Sequence, residues 1–272
     1  MNIIVFGAHP DDCEIKAGGT AAKFVGEGHN VKFVSLTNGD HGHMSMQPGQ
    51  IARRRLTEAK ASSSVLGVTS EVLDIHDCHL IPDIANRERL VGIIREWKAD
   101  LVISHRPYDY HPDHRNAGIL LQDTAYLVMV PLFCKSVAPL RTNPIYMYLQ
   151  DSFTYPEPFR PDVIVPIDDV YKKKIESLHQ MASQLYEWLP WIGNVLDKVP
   201  GSDDQDRRRN FLEDFIRPLE IDMKEELIRR YGKACAAGIK KTEAFQLCEY
   251  GRQVSRQELH ILFPQMPTRI DL

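Results

Sequence analysis

Long apolar runs are missing from this chain: no stretch approaches the ~20 residues that a membrane span needs. Cysteines number five, an odd count, and none forms a Cys-x-x-Cys pair. That usage suits a reduced, cytoplasmic protein. Positive charge is neither in excess nor clustered, with 33 Lys and Arg against 37 Asp and Glu and a formal net charge of -4. A nucleic-acid partner is therefore not expected. No signal peptide is expected either, because a strand-like run begins after two residues. Internal repeats and low-complexity segments are lacking. So is a G-x-G-x-x-G turn after the first strand, which removes the phosphate cradle of dinucleotide-binding proteins.

What is present is chemistry at strand ends. The apolar run Ile3-Ile4-Val5-Phe6 reads as a buried strand and leads straight into Ala8-His9-Pro10-Asp11-Asp12. A second run, Leu101–Ser104, is followed by His111-Pro112-Asp113-His114. Further strands are expected over Val31–Leu36, Val72–Ile75, Ile145–Leu149 and Val163–Ile167. Helices are expected over Lys16–Glu27, Gln50–Leu66 and Asn86–Lys98, the last with an Asn cap. This alternation implies a Rossmann-like α/β fold, a mainly parallel sheet with helices on both faces. Beyond Ile167 the pattern turns helical, over Val170–Leu189 and Leu219–Arg230. The 272 residues then form one domain, with a core over 1–168 and a mostly helical C-terminal part over 169–272.

In such sheets ligands bind beyond the carboxyl ends of the strands. Both clusters lie there, and their His and Asp side chains converge as a divalent metal site with catalytic carboxylates. His9 and Asp12 face one point if a turn begins at Pro10, a residue suited to a first helical position. Asp11, between them, is free to take a proton from an attacking water. The plainer alternative is that Asp11 or Asp12 caps the following helix. One His of the second cluster completes three protein ligands, the usual number at catalytic zinc. The other is free to stabilise an oxyanion or protonate a leaving group, with Asp113 as the candidate that holds it.

The chain closely resembles the LmbE-like, or PIG-L, zinc-dependent N-deacetylases. The opening block of that family is matched from Ala8 to Thr20, its T-(N/D)-G-(D/E) block by Thr37-Asn38-Gly39-Asp40 and its helical R-x-x-E block by Arg55-Leu56-Thr57-Glu58. The HPDH block is intact, and a late Glu-Ala-Phe is matched by Glu243-Ala244-Phe245. The resemblance implies that His9, Asp12 and His114 ligate Zn2+ and that Asp11 is the general base. It implies that His111 stabilises the oxyanion or acts as acid, with Asp113 orienting it. Arg55 matches a position that binds sugar hydroxyls, and Asp77 a hydroxyl-binding Asp, although the usual Pro-Asp-Gly reads His76-Asp77-Cys78 here. The implied reaction removes an N-acetyl group from an amino sugar, a small-molecule partner. Family members include monomers and larger assemblies, so a homo-oligomer stays open.

Two rivals remain: a zinc-dependent hydratase or lyase acting on a small unsaturated oxo-acid, and a binding protein with a structural metal. A cluster of basic residues in the pocket would favour the hydratase. Other residues receive plainer readings. His41 and His43 are expected in a mobile loop, Cys13 in packing, Trp188 and Trp191 at packed helix ends. Arg207-Arg208-Arg209 are expected on a solvated helix face, and Glu58 as a partner of Arg55 or a loop cap.

Overall fold

A computed structural model describes residues 1–267. Seven strands form one sheet in the order β3-β2-β1-β4-β5-β7-β6. Their ranges are β1 Asn2–Gly7, β2 Asn30–Ser35, β3 Thr69–Val72, β4 Leu101–Ser104, β5 Ile145–Leu149, β6 Val163–Pro166 and β7 Thr242–Gly251. β1 to β5 are parallel, and β7 runs antiparallel between β5 and β6. The doubly wound, Rossmann-like reading therefore holds.

Helices α1 (Asp12–Gly26), α2 (Pro48–Leu66), α3 (Ile84–Trp97) and α4 (Pro112–Leu127) connect or follow the first strands. Alternation along β1 explains the two layers. Ile3 and Val5 pack with Ala17 and Phe24 of α1, while Ile4 and Phe6 pack with Leu90 and Ile94 of α3 and with Leu120 and Leu121 of α4. The strand order turns back at β1 and β4, which are neighbours. That is the switch point where doubly wound sheets open a crevice, and both His/Asp clusters leave the sheet there.

The C-terminal part is mostly helical, as expected, with one added strand. It holds α5 (Tyr171–His179), a π-helical segment Ser183–Trp188, and α6 (Leu189–Ile192). After these come α7 (Gln205–Ile216), α8 (Lys224–Ala236) and α9 (Arg256–Leu262). It also returns β7 into the sheet, between β5 and β6. Three local expectations shift as well. The third strand lies earlier, at Thr69–Val72. α1 begins at Asp12, so Pro10 precedes it and does not occupy its first turn. The cap of α3 is Asp83, whose carboxylate accepts from the Asn86 N–H at 2.8 Å.

Glu243 of β7 ties these parts together. Its carboxylate accepts from the Gly19 and Thr20 N–H groups of α1 at 2.9 and 2.7 Å and from Lys174 of α5 at 2.9 Å. Gly19 has no side chain to collide with Ile167, which a Cβ would meet at 2.8 Å. Both charged side chains are buried, at 2% and 0% exposure. Removing one member of such a pair strands the other charge in the interior. Glu243→Ala should lower the unfolding free energy by about 3–5 kcal/mol, read as a lower urea midpoint. A midpoint unchanged from wild type would show that the pair carries no such role.

Candidate metal centre and active site

Donor atoms of three residues meet at the switch point. His9 Nδ1 lies 3.2 Å from His114 Nε2 and 3.5 Å from Asp12 Oδ2, and His114 Nε2 lies 3.4 Å from Asp12 Oδ1. A tetrahedral ion with bonds of about 2.0–2.1 Å sets its ligands about 3.3 Å apart. Each spacing is close to that value, with the two Asp12 distances running to different oxygens of its carboxylate. Overlapping donor groups bring His111 beside His9 and His114, and His105 beside Asp12 and His114.

The far nitrogens of both histidines lie beside carboxylates, and that of His9 is hydrogen-bonded there. His9 Nε2 lies 3.1 Å from Asp77 Oδ1 and 3.2 Å from Asp113 Oδ2. His114 Nδ1 lies 3.1 Å from Asp109 Oδ2. Carboxylate–histidine pairs of this kind fix the tautomer and aim the free nitrogen at a metal. Burial alone would raise the Asp12 carboxyl, but the charges of His114 and His105 hold it well below the usual carboxylate range. It thus stays an anion, as a ligand must.

Asp11 stands apart from the triangle. Its side chain makes no helix-capping bond; it accepts instead from Gln184 Nε2 at 2.7 Å. The capping alternative therefore fails for Asp11. Its backbone holds φ 153° and ψ -28°, a region that L-residues seldom occupy and that recurs at functional sites. Burial, and after it the Asp12 charge, push its carboxyl up to about 6. A group near neutrality in pKa suits proton transfer.

His111 and Asp113 differ from their expected partnership. The Asp113 carboxylate faces away from the His111 ring; it contacts His9 and accepts from Cys78 N–H at 2.7 Å and Leu80 N–H at 3.2 Å. Positions two apart on a helix do not face each other, which separates the two side chains. His111 is the N-cap of α4, and its Nδ1 accepts from the Asp113 N–H at 3.2 Å. Accepting there assigns the proton to Nε2. Burial first, then the neighbouring His9 and His114, lower its pKa. His111 is thus a neutral donor at the cavity wall.

A cavity of about 290 Å³ opens on the site. Arg55 and Asp77 line it, as do Lys16, His105, Arg106, Tyr110 and Phe153. Arg55 donates to Gly42 O at 3.1 Å and to Gln184 Oε1. Gly39, at φ +67°, leaves the room that its guanidinium fills. Trp188 also lines the cavity and stacks on Trp191, which is exposed, so this pair is not core packing.

Sequence reasoning missed Gln184 and His105, and gave Asp109, two positions before His111, no role. Gln184 sits on the π-helical segment, a form often found at functional sites. Glu58 anchors that segment by accepting from the Ser183 N–H and hydroxyl, and it pairs with Arg54 rather than Arg55. His43 meets Glu187 at 3.0 Å and is a tether of the same segment. Arg209 pairs with Glu176 and Arg207 is exposed, in keeping with a solvated face, but Arg208 lies over the Tyr186 ring at 4.1 Å with its Nε buried. His105 directly follows β4, where a strand-end histidine was the available signal.

Known proteins share this architecture. Residues 4–125 match a family model described as PIG-L: GlcNAc-PI de-N-acetylase. A diacetylchitobiose deacetylase of Thermococcus kodakarensis is 31% identical over 206 residues, covering 71% of this chain and 75% of that protein. A 4-oxalmesaconate hydratase of Pseudomonas putida is 27% identical over 195 residues, covering 68% and 74%. The solved N,N'-diacetylchitobiose deacetylase from Pyrococcus horikoshii superposes with a TM-score of 0.70 at 24% identity, over 90% of this chain and 83% of that one. At that identity the likeness speaks for the fold. Taken with the strand-end His and Asp clusters, these matches make the chain a member of the PIG-L, or LmbE-like, family.

Proposed function

We propose that this protein is a metal-dependent hydrolase that removes an acyl group, acetyl in the simplest case, from the nitrogen of an amino sugar. His9, Asp12 and His114 would hold the ion, and zinc suits their two-nitrogen, one-oxygen donor set. When bound, such an ion lowers the pKa of a coordinated water and polarises a carbonyl. The observation that carries the reading is Asp11, a buried carboxylate beside the triangle that neither ligates nor caps. A structural metal site has no use for it.

Asp11 takes a proton from the attacking water and passes it to the departing nitrogen, as the C–N bond breaks. His111 donates its Nε2–H to the oxygen on which negative charge develops. Gln184 holds Asp11 and Arg55 in register, and Arg55 and Asp77 offer partners for sugar hydroxyls. The products are a carboxylate and a free amine. The name of the Thermococcus relative is consistent with this chemistry. Five free thiols and no described helix long and apolar enough to cross a membrane are consistent with a cytoplasmic setting.

The hydratase alternative has its own support in the Pseudomonas relative. The cavity distinguishes them. A substrate with several carboxylates calls for several free cations, and Arg106 is already clamped by Asp151 at 2.6 and 2.7 Å. A panel of N-acetylated sugars assayed for amine release by the zinc-loaded protein tests the proposal. Release of amine from at least one sugar is expected. Turnover of an unsaturated oxo-acid with no amine from any sugar would assign the chain to the hydratases.

A further inference from the structure

We propose that Asp77, Cys78 and His111 form a second metal site at the edge of the cavity, and that zinc bound there inhibits the enzyme. One donor atom from each residue, a carboxylate oxygen, the thiol sulfur and a ring nitrogen, lies within 4.8 Å of the other two. Zinc takes sulfur at about 2.3 Å and nitrogen or oxygen at about 2.0–2.2 Å, which sets neighbouring donors about 3.3–3.7 Å apart. Small side-chain turns bring the three atoms to that spacing. Cys78 is exposed and His111 only partly buried, so both have room to turn. One sulfur, one nitrogen and one oxygen are a donor set that suits zinc. The thiol is particular to this chain, because the usual Pro-Asp-Gly block reads His76-Asp77-Cys78 here.

The His9, Asp12 and His114 triangle shares no residue with this trio, so both ions fit one chain. Burial alone would raise the Asp77 carboxyl, but His9 beside it holds it well below the usual carboxylate range, as an anion. Burial, and then the Asp77 charge, push the Cys78 thiol up to about 11. It is therefore a poor nucleophile at neutral pH, while a coordinating dication displaces its proton outright. His111 stands between the two sites, its ring centroid 4.6 Å from that of His9 and 5.1 Å from that of His114. Its Nδ1 carries the ring's lone pair, which accepts from the Asp113 N–H at 3.2 Å. An ion that claims this lone pair turns the ring out of the N-cap position from which Nε2–H would be donated to the substrate. Asp77 is withdrawn from the sugar hydroxyls at the same time. His9 keeps its contact with Asp113, so the first ion stays. The second is held more weakly, since the first repels it. The inhibition, though not the ion, rests on the deacetylase reading.

Protein carrying one equivalent of zinc is titrated with more zinc and, in parallel, with cobalt. The triangle contains no sulfur, so a thiolate-to-cobalt charge-transfer band in the near ultraviolet marks the second site alone. Wild type should bind a second equivalent and develop the band. Cys78→Ser should keep the first equivalent and its turnover but show no band, as should Cys78→Gly, which suits the φ of +67° at this position. Both should hold the second ion at least about 100-fold more weakly, a lost ligand costing no less than a lost carboxylate–histidine contact. Amine release by wild type should fall roughly 10²-fold across the second equivalent, the worth of one oxyanion donor, and both variants should escape that fall. No second equivalent, or a band that persists without Cys78, overturns the site. Zinc inhibition of equal strength in the variants overturns its inhibitory role. A Cys78-dependent band with no amine released from any sugar overturns the deacetylase reading and leaves the site standing.

Discussion

Chelated protein should lose amide cleavage by roughly 10³-fold or more, since an ion that polarises the carbonyl and activates water supplies several kcal/mol. Adding zinc back should restore the wild type. His114→Ala should show the same loss without recovery, because one corner of the 3.2–3.5 Å triangle is gone. Asp113→Asn makes the sharper case. Its carboxylate touches His9 and not the His111 ring, so its effect should fall on the ion. Metal affinity should weaken by about 10–100-fold, as for other lost carboxylate–histidine contacts, while turnover at saturating zinc stays close to wild type. Metal content and activity measured together check this. Full activity in protein shown to be metal-free would refute the centre.

Asp11→Asn should keep its metal and lose its turnover. General-base groups contribute about 10²–10⁴ in rate, and Asn keeps the shape while removing the basic oxygen. Gln184 can still reach the new side chain, so the local fold is not expected to change. The pH dependence follows from the sign of the shift. A base works when deprotonated, so wild-type kcat/KM should fall as pH drops through the Asp11 titration. Burial pushes that carboxyl up to about 6, and a bound dication lowers it from there. The acid limb should therefore lie at or below about pH 6 and vanish in the variant. Near-wild-type turnover would remove Asp11 from the base role; loss of zinc would make it a ligand.

The N-terminal half was legible because its signals are local. Buried strands followed by His and Asp mark the carboxyl edge directly, and the observed order puts β1 beside β4 as that reading requires. Gln184 was illegible for the opposite reason. Its partner, Asp11, is 173 positions away, and a single π-helical turn is too short to stand out in the sequence from the helices around it. β7 was hidden because it shows no clean alternation, buried at Glu243–Phe245 and exposed toward its end, and Glu243 reads as polar surface. The pairing of Asp113 with His111 was inferred from adjacency. The helix that starts between them turns the two side chains apart and hands Asp113 to His9, 104 positions away.

The position of β7 also sets the order in which this protein can be assembled. β6 pairs with β7 alone, and β7 covers the outer edge of β5. At a synthesis rate of about 5–20 residues per second, the roughly 90 residues between β5 and β7 take about 5–20 s to emerge. Through that interval the nascent chain holds both metal-site clusters but presents an open edge at β5, the template on which strands of other chains add. In this state the chain carries the aggregation hazard of an unpaired edge, and a message truncated before β7 yields a product that lacks the strand pairing β5 with β6. The last quarter of the chain thus acts as the checkpoint for a site whose proposed ligands all lie in the first half.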